Sequence, residues 1–284
     1  MTYRECYEKG CHILNEAGIE ESTLDARLLL EAVCGTDRND LLAHGEQPVM
    51  SQAEEKYLNW IRQRAEHIPL QQLTGEQDFM GLTFSVNEHV LIPRQDTEIL
   101  VEEVLKELHD RMRILDMCTG SGCILLSLLH YSNDCEGLGV DLSAEALEVA
   151  GQNVLKVLTQ EKSEHAHFLQ SDLFEKVEGK FEIIVSNPPY IASAEIEKLM
   201  PEVRDHEPRM ALDGTEDGLH FYRRIIKEAG KHLVNSGMLF FEIGYDQGQA
   251  VSELMRAQGY REVQVVQDYA GLDRVVLGTY CERN

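Results

Sequence analysis

The chain has 284 residues, 43% of them apolar and 27% charged, with a net charge of −24. That length suits two domains, or one large α/β domain with an appendage, and the composition excludes a disordered chain. So acidic a balance argues against duplex DNA or long RNA as the main substrate, because neutralising phosphates needs a basic surface.

The first seventy residues read as helices. Ile13, Leu14 and Ala17 recur at helical spacing, as do Leu24, Leu28, Leu29 and Ala32. Ser51 with Glu54 reads as a capping box opening a third helix on which Tyr57, Leu58 and Ile61 share a face, and Pro69 closes it. A helical domain is therefore expected over residues 1–70. Over 71–90 the texture changes to short alternating runs punctuated by Thr74-Gly75 and Met80-Gly81, which predicts a β-hairpin linker.

From residue 91 to 284 a single α/β domain is expected. A helix over about 97–109 precedes a strand at Ile114–Met117, and a second helix starts near Gly122. The next strand, 137–141, is followed by a helix opened by Ser143. Later strands fall at 167–169, 181–185, 238–243, 263–266 and 275–277. Alternating strands and helices imply a mostly parallel sheet covered on both faces. No helix separates the last two strands, so one of them should run antiparallel. Seven cysteines, Cys6, Cys11, Cys34, Cys118, Cys123, Cys135 and Cys281, contain no C-x-x-C pair. They predict reduced thiols rather than disulfides, and no metal site. No apolar signal core follows Met1 and no run reaches membrane-spanning length, so the expected location is the cytoplasm.

Two stretches carry chemistry. Cys118-Thr119-Gly120-Ser121-Gly122 follows a strand and opens a helix, where small residues let the backbone approach a ligand. A dinucleotide fingerprint would need a third glycine where Leu125 stands, which weakens a pyrophosphate reading. Asp141 ends the next strand, placed to accept from two ribose hydroxyls. Nicotinamide and S-adenosylmethionine enzymes both use that arrangement. Asp172 and Leu173 end the third strand at the same sheet edge, suited to an adenine amino group and ring; Asp172 also reads as a turn cap. The second stretch is Ser186-Asn187-Pro188-Pro189-Tyr190, after the fourth strand. Two prolines remove two backbone donors and stiffen an extended chain. The Asn187 side-chain oxygen and the Pro188 carbonyl can then each accept one hydrogen of a planar NH2 group, with Tyr190 stacking on it.

Asn187-Pro188-Pro189-Tyr190 with the glycine loop resembles amino-methyltransferases that act on planar NH2 groups. Val90 to Glu98, Glu207-Pro208-Arg209-Met210-Ala211-Leu212-Asp213-Gly214, Asp268-Tyr269 and Arg274-Val275-Val276 are similar to the HemK/PrmC family, the protein-(glutamine-N5) methyltransferases of class I peptide chain release factors. The resemblance spans nearly the whole chain. It implies a seven-stranded, Rossmann-like methyltransferase sheet with S-adenosylmethionine bound by residues 118–122, Asp141, Asp172, Leu173 and Asn187, and S-adenosylhomocysteine as product. It also implies that Asn187, Pro188, Pro189 and Tyr190 act on the glutamine of a Gly-Gly-Gln loop, with the helical domain recognising the release factor. A monomer is expected.

Cys118 stands where the family commonly has glycine, and Gln95 where a second proline is usual. Thr97 reads equally as a helix cap, while Glu242 and the eleven histidines carry no motif and read as solvated or packing residues. Two other readings remain: a nucleic-acid amino-methyltransferase using the same cradle on a flipped base, and a nicotinamide-dependent oxidoreductase or nucleotide-binding module.

Overall fold

Thr2 caps the first helix, Tyr3–Glu16. Its hydroxyl accepts from the Glu5 amide while the Glu5 carboxylate accepts from the Thr2 amide, the reciprocal pair of a capping box. The box expected at Ser51 does not form. Ser51 is already helical, Met50 occupies the cap position of Ser51–Ala65, and Glu54 pairs instead with the Met1 ammonium. The charge of the chain terminus outcompetes a single amide for that carboxylate.

The structure is a computed structural model describing residues 1–282. These fall into two compact units, Met1–Gly75 with Met200–His206, and the remainder. In the first, helices Tyr3–Glu16, Ser22–Cys34 and Ser51–Ala65 enclose the fully buried Leu14, Leu29, Leu30, Tyr57 and Ile61. The buried Arg64 guanidinium joins Asp25 at 2.7 Å and Glu202 at 3.0 Å, which ties the short helix Pro201–His206 to these helices although it lies far along the chain.

The second unit opens with the antiparallel hairpin β1 (Glu76–Phe79) and β2 (Leu82–Ser85). Met80 and Gly81 both have positive φ, 52° and 71°, as a two-residue turn between twisted strands requires. Phe79 and Phe84 are buried in the core under the main sheet, and the hairpin falls within this second unit.

The sheet holds seven strands: β3 (Arg113–Met117), β4 (Glu136–Asp141), β5 (Ala166–Gln170), β6 (Phe181–Ser186), β7 (Leu233–Glu242), β8 (Arg261–Gln267) and β9 (Asp273–Thr279). Their order is β5-β4-β3-β6-β7-β9-β8, with β9 antiparallel to both neighbours. The expected α/β architecture with one reversed strand is present. Side chains alternate strictly between two cores: Ile114, Ile183, Val185 and Phe240 enter one, Leu115, Ile184, Leu239 and Phe241 the other. A strand that buries both faces needs apolar side chains at nearly every position; the buried exceptions in β3, β6 and β7 are Asp116, Ser186 and Glu242. Among the described residues no helix is long and apolar enough to cross a membrane.

Candidate active site

β3 and β6 run parallel and in register, and their last pair is Met117 with Ser186, whose hydroxyl donates to the Met117 carbonyl at 2.6 Å. One residue further on stand Cys118 and Asn187, so the glycine loop and the diproline corner leave the sheet side by side. Here the strand order reverses, where an open α/β sheet presents a crevice beyond its carboxyl ends. A cavity of about 400 Å³ opens there. Its walls include Cys118, Thr119, Gly120, Ser121, Asp141, Asp172, Leu173, Asn187 and Pro189. Gly122, Pro188 and Tyr190 complete the loop and corner without lining it.

The loop turns through three positive φ angles, 63° at Cys118, 56° at Gly120 and 78° at Gly122. A Cβ on Gly120 would meet nothing within 4 Å, so that residue faces open space. Three loop amides are spent inside the protein. Thr119 N donates to the Val140 carbonyl at 3.0 Å, Gly120 N to Asp141 Oδ2 at 2.9 Å and Gly122 N to the Thr119 carbonyl at 2.9 Å. A pyrophosphate site wants such amides aimed outward, so this loop is ill suited to one.

Carboxylates dominate the surroundings. Asp141 also accepts from Ser143 N at 3.0 Å, and burial raises its pKa against those hydrogen bonds. Beneath the loop, Asp116 is wholly buried, accepts from the Thr119 hydroxyl at 2.6 Å and keeps Oδ1 without a partner. Burial pushes its pKa up to about 7. The Cys118 thiol is likewise pushed well above its ordinary range by burial, with Asp141 and Asp116 adding to it, so it is an uncharged small side chain and a poor nucleophile. Asp172 bonds Arg224 through Oδ1 at 2.8 Å and is half-exposed. The cationic Arg94 on the wall is paired with the buried Glu207 at 2.5 Å. An acidic cavity with paired cations suits a positively charged ligand better than a phosphorylated one.

At the corner, Pro188 and Pro189 are buried and Asn187 is partly so. The Asn187 amide donates to Thr97 Oγ1 at 3.5 Å, the outer edge of a hydrogen bond, leaving its oxygen free. The Tyr190 carbonyl accepts from Gln247 Nε2 at 3.0 Å, and its hydroxyl donates to Glu242 Oε1 at 3.4 Å. Gly218, at φ 71°, lies so close that a Cβ there would fall 2.3 Å from the Tyr190 carbonyl oxygen. Only glycine lets the Asp213–Gly218 segment press on the corner.

Sequence profiles support what this geometry suggests. The PrmC N-terminal domain matches residues 5–75 and the methyltransferase small domain matches 94–203. The release factor glutamine methyltransferase of Moorella thermoacetica is 43% identical over 281 residues, 98% of each chain. That of Agrobacterium fabrum is 40% identical over 269 residues, covering 93% of this chain and 92% of the relative. The chain belongs to the release factor glutamine methyltransferase family. In fold it resembles a Pyrococcus furiosus methyltransferase, with a TM-score of 0.52 at 16% identity over 82% of this chain and 100% of the other.

For a release factor glutamine methyltransferase, two residues at the corner escaped the sequence reading. Thr97 is not a cap: its helix, Gln95–Glu107, starts after Arg94, and Thr97 is buried in the first turn against Asn187. Glu242 is not solvated but packed inside the protein. It is 2% exposed, its Oε2 has no partner, and burial pushes its pKa up to about 7. One signal was available: an acidic residue closing the apolar run of β7 at the sheet edge where the other site residues lie.

Proposed function

We propose that this chain transfers a methyl group from S-adenosylmethionine to the side-chain amide nitrogen of the glutamine in the Gly-Gly-Gln segment of class I peptide chain release factors, leaving S-adenosylhomocysteine. The observation that carries the reading is the corner after β6. Asn187 turns its amide nitrogen toward Thr97 and keeps its oxygen available at the cavity. The Pro188 carbonyl, with prolines on either side of its peptide bonds, accepts no hydrogen bond from the described residues. Family membership supplies the identity of the planar amide.

When bound, the cofactor supplies an electrophilic methyl group on a cationic sulfur. The residues present fit it: Asp141 retains lone pairs for ribose hydroxyls, Asp172 retains Oδ2 for an adenine amino group, and Leu173, at φ 50°, supplies an apolar wall. Thr119, Ser121 and Cys118 form the rest of that wall, with Gly120 and Gly122 giving the turn. An amide nitrogen is a weak nucleophile because its lone pair is delocalised into the carbonyl. Acceptors on both of its protons raise its electron density, and fixing its direction removes an entropic barrier. The amide loses one proton to solvent as the N–C bond forms. Asn187 and Pro188 provide the acceptors, Pro189 the stiffness, and Tyr190 the anchor of the corner through its bonds to Gln247 and Glu242. The helical unit is assigned to grip the body of the release factor.

Labelled S-adenosylmethionine incubated with enzyme and a release factor tests this directly. Label should enter the wild-type factor and not one whose Gly-Gly-Gln glutamine is alanine. Equal labelling of both would refute the assigned target.

A further inference from the structure

We propose that the exposed aromatic edge made by Tyr269 and Leu272 in the β8–β9 loop, with Glu102 beside it, docks a cationic segment of the protein substrate outside its Gly-Gly-Gln loop. The proposal rests on the glutamine-methylation reading and adds to it a second point of contact. Asp268, Tyr269 and Arg274 belong to the stretches that resemble the family, yet none of them lines the cavity. β8 runs antiparallel to β9, and β9 antiparallel to β7, so the loop leaves the sheet at the same carboxyl edge as the diproline corner. It is built to be stiff. Asp268 Oδ1 accepts from the amides of Ala270 and Leu272, both at 2.9 Å, while its own amide donates to the Leu272 carbonyl at 2.8 Å. Its Oδ2 meets Arg274 at 3.1 Å, and the same guanidinium lies 3.1 Å from Asp96 at the start of the helix Gln95–Glu107. All this bonding supports a bare tip: Tyr269 is 89% exposed and Leu272 45%. The Tyr269 phenol donates to Glu102 Oε2 at 3.1 Å, which fixes the ring against that helix. A tyrosine already held in place loses little entropy when a partner covers it, the property that makes tyrosines anchors of protein interfaces.

Charge around the ring selects the partner. Asp96 and Glu102 are exposed on the helix, and Asp246 is exposed just after β7 at the same edge. The neighbouring cations are already paired, Arg274 with Asp96 and Asp268, and Lys106 with Glu103. A tyrosine face beside carboxylates takes a guanidinium or an ammonium, which stacks on the ring and pairs with the acid at once. A nucleic acid, or a second copy of a chain carrying −24, would instead bring like charge onto this edge. The helix links the edge to the chemistry. Thr97 lines the cavity, and Glu102 stands about 7.5 Å further along the helix axis. A protein whose glutamine sits at the corner therefore meets this edge with residues flanking its Gly-Gly-Gln loop, whereas the cofactor has no reach to it.

The test uses the full-length enzyme with an intact release factor and measures kcat, KM for the factor and S-adenosylhomocysteine affinity at several salt concentrations. Tyr269→Ala should raise KM for the factor about 5- to 30-fold, the effect of losing one interface anchor, with kcat and S-adenosylhomocysteine affinity unchanged. Tyr269→Phe keeps the ring face and should stay within about threefold of wild type. Glu102→Lys sets like charge against the substrate and should raise KM about tenfold or more at low salt, an effect that shrinks as salt screens it. Both side chains are exposed, so thermal melts of these variants should match wild type. A wild-type KM in both Tyr269→Ala and Glu102→Lys overturns the docking surface and leaves the methylation reading standing. So does a lower KM in Glu102→Lys, which would make the partner acidic. Dissociation of an enzyme dimer by Tyr269→Ala at unchanged KM, seen by sedimentation, would give the edge to a second copy and overturn it too. A wild-type enzyme that labels no glutamine in the factor overturns the methylation reading, and this one with it.

Discussion

The loop after β3 and the corner after β6 leave adjacent strands at the same level and treat the backbone in opposite ways. The loop keeps its amides and turns three of them inward, onto Val140, Asp141 and Thr119. The corner deletes two amides by proline and leaves oxygens without partners. The loop is a closed, self-satisfied turn that offers shape and carboxylates to a ligand. The corner is an open set of acceptors that only a donor-bearing group can complete. A methyl-transfer site needs both, and the parallel register of Met117 with Ser186 sets them one residue apart from a shared edge.

Substitutions on the two sides should therefore separate binding from chemistry. The largest effect belongs to Asn187→Ala, which removes an acceptor and leaves the target nitrogen unactivated. A loss in kcat on the order of 100- to 1,000-fold is expected, as for removal of a preorganised transition-state hydrogen bond, with S-adenosylhomocysteine affinity within about threefold of wild type. Calorimetry and single-turnover rates check the two halves independently. Asp141→Ala should show the reverse pattern. Hydrogen bonds to a charged acceptor are worth about 1.5–3 kcal/mol, so cofactor binding should weaken roughly 10- to 100-fold while kcat at saturation changes little. A collapse of both parameters in both variants would erase the distinction between loop and corner.

A second contrast lies in how the two sides titrate. Asp116 under the loop and Glu242 behind the corner each have a folded-state pKa raised to about 7, against about 3.9 and 4.3 in an unfolded chain. A carboxyl that holds its proton more tightly when folded contributes stability that is fully present below the unfolded value and lost as pH rises through the folded one. Each contribution is on the order of 4 kcal/mol. The protein should accordingly melt higher near pH 5.5 than near pH 8. Glu242→Gln should narrow that difference by raising Tm chiefly at the alkaline end, which thermal melts at the two pH values measure. An unchanged gap would mean that Glu242 is already solvated when folded.

How far each side was legible in the sequence follows from the same contrast. The loop and corner are contiguous in the chain, so their spacing after apolar runs places Cys118–Gly122 and Asn187–Tyr190 at strand ends. The sheet was legible for a related reason: apolar strands alternating with helices have few ways to pack. Thr97 and Glu242 reach the corner from elements 90 and 52 residues away from Asn187 and Tyr190, and no local pattern marks such a meeting. Thr97 resembled a cap because it follows Arg94-Gln95-Asp96 at the start of a helix. Met200–His206 joins the helical unit through Arg64, which bridges Asp25 and Glu202, and through His67 and Gln72, pairings that charge spacing along the chain does not reveal. The displaced capping box at Ser51 has the same origin, since Glu54 is claimed by the distant Met1.

The smallest effect tests the loop alone. Cys118 holds φ at 63°, a conformation that costs a side chain with a Cβ about 1–2 kcal/mol and glycine almost nothing. The half-buried thiol recovers part of that by packing against the core that contains Met117. Cys118→Gly removes the strain and the packing together, while adding backbone freedom to the unfolded chain at a cost of roughly 0.5–1 kcal/mol. The terms oppose each other and nearly balance, so stability should shift by less than about 1 kcal/mol in either direction. Because the thiol is uncharged and lines the cavity without a bond to spare, kcat should stay within about twofold of wild type. A larger fall in rate with unchanged melting would give the sulfur a role in binding that its protonated, recessed state does not otherwise suggest.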